Sequence, residues 1–176
     1  NMVLPAVIAA IVVCSAAAAM CGVFVAYLNV PPFISTLAGI TILRGVAYVY
    51  SSGTPYILKS EGFKAIGTGY TPIIIFVVLA VIMHIVLSKT KFGRHIYAVG
   101  GNKIAAAASG IKVPKIWIEV YAIAGVLAGI AGVVLAARTN SGQPAVGVGY
   151  ETDVIAAVAI GGTSMSGGVG TIVGSC

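Results

Sequence analysis

Apolar and polar positions along the chain alternate in long blocks rather than in the short period of an amphipathic fold. Residues 2–28 carry no charge, and as one helix at 1.5 Å per residue they would reach about 40 Å, more than the ~30 Å hydrocarbon core of a bilayer requires. Asn29, Val30, Pro31 and Pro32 make a turn, because prolines are excluded from a helix interior yet suit its first positions. Residues 33–50 form a second apolar block, 72–87 a third and 116–137 a fourth. The pattern therefore predicts four membrane spans at about 2–28, 33–50, 72–87 and 116–137. Two blocks break the rule. Residues 88–115 are polar and basic, and residues 154–160 are apolar for only seven positions before a Gly/Ser/Thr-rich run, too short to cross a bilayer.

Composition agrees with the blocks. The 176 residues are 59% hydrophobic and 8% charged, with a mean hydropathy of +1.08, whereas soluble domains carry roughly a quarter charged residues. The 23 glycines point to helices packed through small side chains. The expected fold is an all-α integral membrane protein. It is a polytopic helical bundle with a broken or re-entrant segment and a short cytoplasmic helix, all in a single, partial transmembrane domain. Both ends fall within apolar sequence, so a fragment of a longer chain is expected, with a further span starting at 169–176. Cys14, Cys21 and Cys176 lie in apolar runs without a metal-ligand partner and are read as small buried hydrophobes; no metal site is expected.

Charge sets the orientation. Six of the ten basic residues (Lys89, Lys91, Arg94, Lys103, Lys112 and Lys115) lie in 88–115, which holds no acid, so this loop is cytoplasmic by the positive-inside rule. Residues 51–71 then lie outside. Within the loop, Asn102 suits an N-cap, the alanines that follow favour helix, and Gly110 suits a left-handed C′ position. A helix of two turns is not stable alone in water, so this one should pack against something. Docking into a partner protein and lying on anionic lipid headgroups are both compatible with the composition.

Four stretches tip that balance. They are PFISTLAGITILRGVAYVYSSGTP (32–55), TKFGRHIYAVGGN (90–102), VGGNKIAAAASGIKVPK (99–115) and GYETDVIAAVAIGGTSMSGGVGTIVG (149–174). In this order they resemble the permease subunits of ABC importers for simple sugars, the ribose, xylose and galactoside branch, nearest to the ribose-type permease. The resemblance covers most of residues 29–176. It implies a coupling helix that docks on a cytoplasmic ATPase through Gly101, Asn102, Ala105, Ala106, Ala107, Ala108, Ser109 and Gly110. It also implies a periplasmic or surface sugar-binding protein, a second permease copy or a homologous permease, and the bacterial cytoplasmic membrane as the site of action. One departure stands out: the family usually has an acid just before its paired alanines, where this chain has Ile104.

Other residues offer candidate chemistry. A broken segment at about 154–168 must be buried in protein or line a watery cavity, so Glu151, Asp153, Gly161, Gly162, Thr163 and Ser164 are candidates for a translocation path. No nucleophile, metal ligand or histidine accompanies the two acids, and a helix N-terminal charge or a salt bridge, with Arg138 as a candidate partner, is the simpler reading. Gly125, Gly129 and Gly132 form one stripe of the fourth span and suit close helix packing. Arg44 lies inside the second span and is expected to pair inward; His84, near the end of the third, is expected at the interface. Residues 161–170 lack the lysine and flanking βαβ pattern of a phosphate loop, so no enzyme activity and no cofactor are expected in this chain, ATP and Mg belonging to the partner ATPase. The basic loop lacks the aromatic interleaving of nucleic-acid binders, so its contacts beyond protein are with membrane lipid. The expected function is inward movement of a monosaccharide such as ribose. An ion-coupled secondary carrier using Glu151, Asp153 or His84 is the alternative.

Overall fold

The computed structural model describes residues 3–58, 60–164 and 166–175. Asn1, Met2, Lys59, Met165 and Cys176 therefore lie outside the described residues. In chain order the elements are α1 (Val3–Leu28), α2 (Pro32–Ser51), β1 (Tyr56–Ile57), α3 (Glu61–Gly67), α4 (Thr71–Lys89), α5 (Lys91–Gly101), α6 (Lys103–Ala108), α7 (Val113–Thr139), β2 (Ser141–Gly142), α8 (Tyr150–Ile160) and α9 (Ile172–Ser175). Among the described residues the fold is all-α apart from one two-residue strand pair. Among the described residues four helices, α1, α2, α4 and α7, are long and apolar enough to cross a membrane. Their surfaces bear large apolar side chains such as Leu4, Val49, Ile73 and Phe76, as lipid-facing helices do.

The chain divides into two compact units, Asn1–Pro72 with Trp117–Val146, and Ile73–Ile116 with Gly147–Cys176. In the first unit, α1 packs against α2 and against α7 through small residues. A Cβ on Gly125 would meet the Cys14 carbonyl oxygen and Ser15 Cα at 2.7 Å, and one on Gly129 would meet Ile11 Cα at 2.9 Å. The Ser15 hydroxyl donates to the Ala122 carbonyl at 3.1 Å, and the Ser35 hydroxyl donates to that of Cys21 at 3.2 Å. Such contacts hold helices together where the hydrophobic effect offers little, because lipid is as apolar as the side chains. β1 and β2 pair antiparallel, Tyr56 opposite Gly142 and Ile57 opposite Ser141. Sequence patterns gave no sign of these strands, since two residues cannot show alternation.

In the second unit, α4 runs to Lys89 and α5 follows after Thr90, whose hydroxyl caps it by accepting from the Gly93 amide at 3.2 Å. The stretch expected as loop between 88 and the short helix is thus mostly helical. Three glycines and a basic start hide α5 from propensity. The signal was Thr90 as a cap followed by Phe92, Ile96 and Val99 on one helical stripe. Gly93 and Val99 are buried, while Lys91, Arg94 and Ala98 are exposed. α8 begins at Tyr150, four residues before the apolar run of the sequence, because the polar residues Glu151, Thr152 and Asp153 serve as its first turn.

Candidate functional site

The short basic-loop helix is closed at both ends by its own bonds. Asn102 Oδ1 accepts from the amides of Ile104 and Ala105, both at 3.0 Å, which satisfies two of the amides a helix start leaves open. At the other end the Gly110 amide donates to the Ala107 carbonyl at 3.0 Å and the Ile111 amide to that of Ala106 at 3.1 Å. This double closure needs a left-handed residue after the helix, and Gly110 supplies it at φ +82°. Ser109 adds a hydroxyl bond to the Ala105 carbonyl at 2.9 Å.

The faces of α6 differ. Ala106 is buried, and α6 packs on α5. Ile104, Ala105, Ala107 and Ala108 are exposed, Ile104 at 83%. Gly101, Asn102, Ser109 and Gly110 are exposed as well. Of the eight residues assigned to docking, Ala106 alone faces this chain's own interior, so a large residue there would disturb the helix seat rather than an outer surface.

Beyond Ile160 the chain turns through Gly161, Gly162, Thr163 and Ser164 into α9. Gly161 lies against the backbone of Gly174 with no room for a side chain. Thr163 and Ser175 share a hydroxyl–hydroxyl hydrogen bond of 3.1 Å. The Ser164 amide donates to the Val169 carbonyl at 2.9 Å, and the Ser164 hydroxyl accepts from the Ser166 amide at 3.3 Å. The polar groups of this turn are thus engaged with one another. Glu151 and Asp153 sit in the first turn of α8, where open amides favour carboxylates. Glu151 Oε2 accepts from the Gly149 amide at 3.1 Å. Glu151 is half-buried and Asp153 exposed.

The structure joins two of these regions through residues that sequence reading passed over. The Tyr97 hydroxyl on α5 donates to the Gly170 carbonyl at 2.7 Å, across 73 positions. Gly100 faces Gly167 and Gly168 backbone to backbone: a Cβ on Gly100 would come within 2.7 Å of the Gly168 nitrogen, and one on Gly168 within 2.9 Å of Gly101 Cα. The repeated glycine pairs at 100–101 and 167–168 were the available signal, since a glycine pair often marks close approach of two backbones.

The remaining candidates lie on the long helices α1, α2, α4 and α7. Gly125 and Gly129 are buried against α1, whereas Gly132 is exposed and a Cβ added there would meet no neighbouring element. Arg44 is half-buried on α2, and His84 is exposed on α4, its carbonyl accepting from the Ser88 hydroxyl. Cys14 is exposed and Cys21 half-buried, both unpaired, so the burial expected for Cys14 is absent within this chain. A groove of about 290 Å³ lies between α1 and α2. Its lining includes Met20, Phe24, Ile34 and Ile42, and the hydroxyl of Ser35 there is taken by Cys21, so it offers a sugar no polar hold. Among the described residues, no cluster of three or more His, Cys, Asp or Glu could hold a metal.

The chain is similar in sequence to known permeases. It is 47% identical over 151 residues to "Ribose import permease protein RbsC" of Bacillus subtilis, covering 82% of this chain and 47% of that protein. It is 44% identical over 181 residues to the protein of the same name in Escherichia coli K12, covering 98% and 56%. "L-arabinose transport system permease protein AraH" of Escherichia coli K12 is 39% identical over 156 residues, covering 86% and 48%. The chain thus spans about half the length of the curated relatives it matches. No solved structure matches it. The family model described as "Branched-chain amino acid transport system / permease component" matches residues 1–176, and with the four apolar helices this places the chain in that family of multi-pass membrane permeases.

Proposed function

We propose that the chain is part of the transmembrane permease of an ATP-binding-cassette importer that moves a monosaccharide such as ribose inward across the bacterial cytoplasmic membrane. The observation that carries this reading is α6. It is a two-turn helix on the most basic stretch of the chain, capped at both ends, and its outer face shows Ile104, Ala105, Ala107 and Ala108. A face of small side chains lets another backbone approach closely, and Ile104 adds one apolar knob that could seat in a partner's pocket. The ribose and arabinose permeases named above support sugar as cargo.

In this reading separate ATPase subunits bind ATP and Mg, a sugar-binding protein delivers the cargo from outside, and a second permease copy or a homologue completes the path. The movement of α6 with nucleotide state drives alternating access. No bond is made or broken by this chain. Where the family usually has an acid, Ile104 replaces a charged contact to the ATPase with an apolar one.

The test is uptake of labelled ribose, L-arabinose and galactose by cells carrying the complete transporter. Uptake should stop on ATP depletion and survive collapse of the proton gradient. Ala107→Arg should lower it about tenfold or more while ATP hydrolysis continues, the size expected when a charge enters a docked apolar face. Uptake that follows the proton gradient instead, and disappears on neutralising Glu151 and Asp153, would support the ion-coupled carrier.

A further inference from the structure

The docking helix does not meet the turn after α8 directly, yet every step between them is a short, stiff contact. Asn102 is at once the C-cap of α5 and the N-cap of α6. No flexible linker separates the two helices: the Asn102 amide donates back to the Ala98 carbonyl at 3.0 Å while its side chain holds the amides of Ile104 and Ala105. Displacing α6 therefore displaces the end of α5.

The last turns of α5 in turn hold the 161–171 segment at two points. One is the Tyr97 hydroxyl on the Gly170 carbonyl, at 2.7 Å. The other is the seam of Gly100 and Gly101 against Gly167 and Gly168. Between touching backbones there is no side chain to change rotamer and absorb a shift, so a displacement on one side reappears on the other. The far side of the turn is fixed as well, Gly161 against Gly174 and Thr163 against Ser175.

We propose that Tyr97 and the glycine seam are the mechanical link that carries movement of the docked helix into the turn joining α8 to α9, so that the two shift as one body during transport. Tyr97 acts here as a positioning residue. It touches neither sugar nor ATPase, and its role is to fix the Gly170 carbonyl to α5. The link rests on the reading of α6 as the ATPase-docking helix.

The experiment uses the complete transporter with its ATPase and binding protein in proteoliposomes. Labelled ribose, L-arabinose and galactose moved and ATP hydrolysed are measured on the same preparation and scaled to the complex recovered. Tyr97→Phe removes only the hydroxyl, and Gly100→Ala drives a methyl group into the seam. Both should lower the sugar moved per ATP about fivefold or more, the lower end of typical coupling between sites, with hydrolysis and recovery near wild type. A structural role alone would lower transport, hydrolysis and recovery together and leave their ratio unchanged, and that outcome overturns the link. Ala107→Arg run alongside separates the two ideas. If it uncouples transport while Tyr97→Phe and Gly100→Ala keep the wild-type ratio, the link fails and the docking reading stands. If Ala107→Arg transports normally, or the wild type moves none of the three sugars, the docking reading fails and the link with it.

Discussion

The glycines of α7 and the glycines beyond α8 do opposite work with the same missing side chain. On α7, Gly125 and Gly129 keep ordinary helical backbone and provide only flatness, letting α1 lie close. Beyond α8, Gly167 and Gly168 provide flatness and also take backbone angles of φ +89° and +78° that other residues resist. The first arrangement tolerates change in proportion to added volume. The second is penalised twice, by space and by conformation.

That contrast can be tested by substitutions of decreasing effect, each read as the unfolding midpoint of the purified permease in detergent. Gly168→Val combines a left-handed penalty of about 1–2 kcal/mol with overpacking of about 1–3 kcal/mol against Gly101, and should be the most damaging. Gly125→Leu meets only the crowding against Cys14, Ser15 and Ala18 and should cost about 1–3 kcal/mol. A larger loss for Gly125→Leu than for Gly168→Val would break the comparison. Gly132→Ala, with nothing within 4 Å of the new methyl group, should stay within about 0.5 kcal/mol of wild type or gain slightly from helix propensity. A clear loss there would show that the whole α7 stripe is a contact surface, and not only its first two glycines.

How far the sequence revealed the molecule follows from the range over which each signal acts. The all-α class and the long apolar helices come from runs of some twenty residues, and the caps of α6 come from residues beside the backbone groups they satisfy. Asn102 and Gly110 therefore take the geometry their identities predict. Ala106 is different: nothing local tells which of four successive alanines turns inward, because that depends on α5. The helical state of residues 91–101 was masked by its glycines, yet two of them, Gly100 and Gly101, serve a contact with residues 167–168 that lies far along the chain. Tyr97 was hidden for the same reason, its partner being a carbonyl 73 positions away.

The self-contained closure of α6 has an evolutionary side. The hydrogen bonds that close the helix ends, from the Asn102 side chain to the Ile111 amide, are made within ten consecutive residues and depend on backbone groups, one asparagine, one serine and one glycine. The outward positions Ile104, Ala105, Ala107 and Ala108 take no part in those bonds through their side chains. Mutation can thus rewrite what the helix presents while leaving its shape intact, and a lineage can exchange one mate for another by point changes on a ready-made cassette.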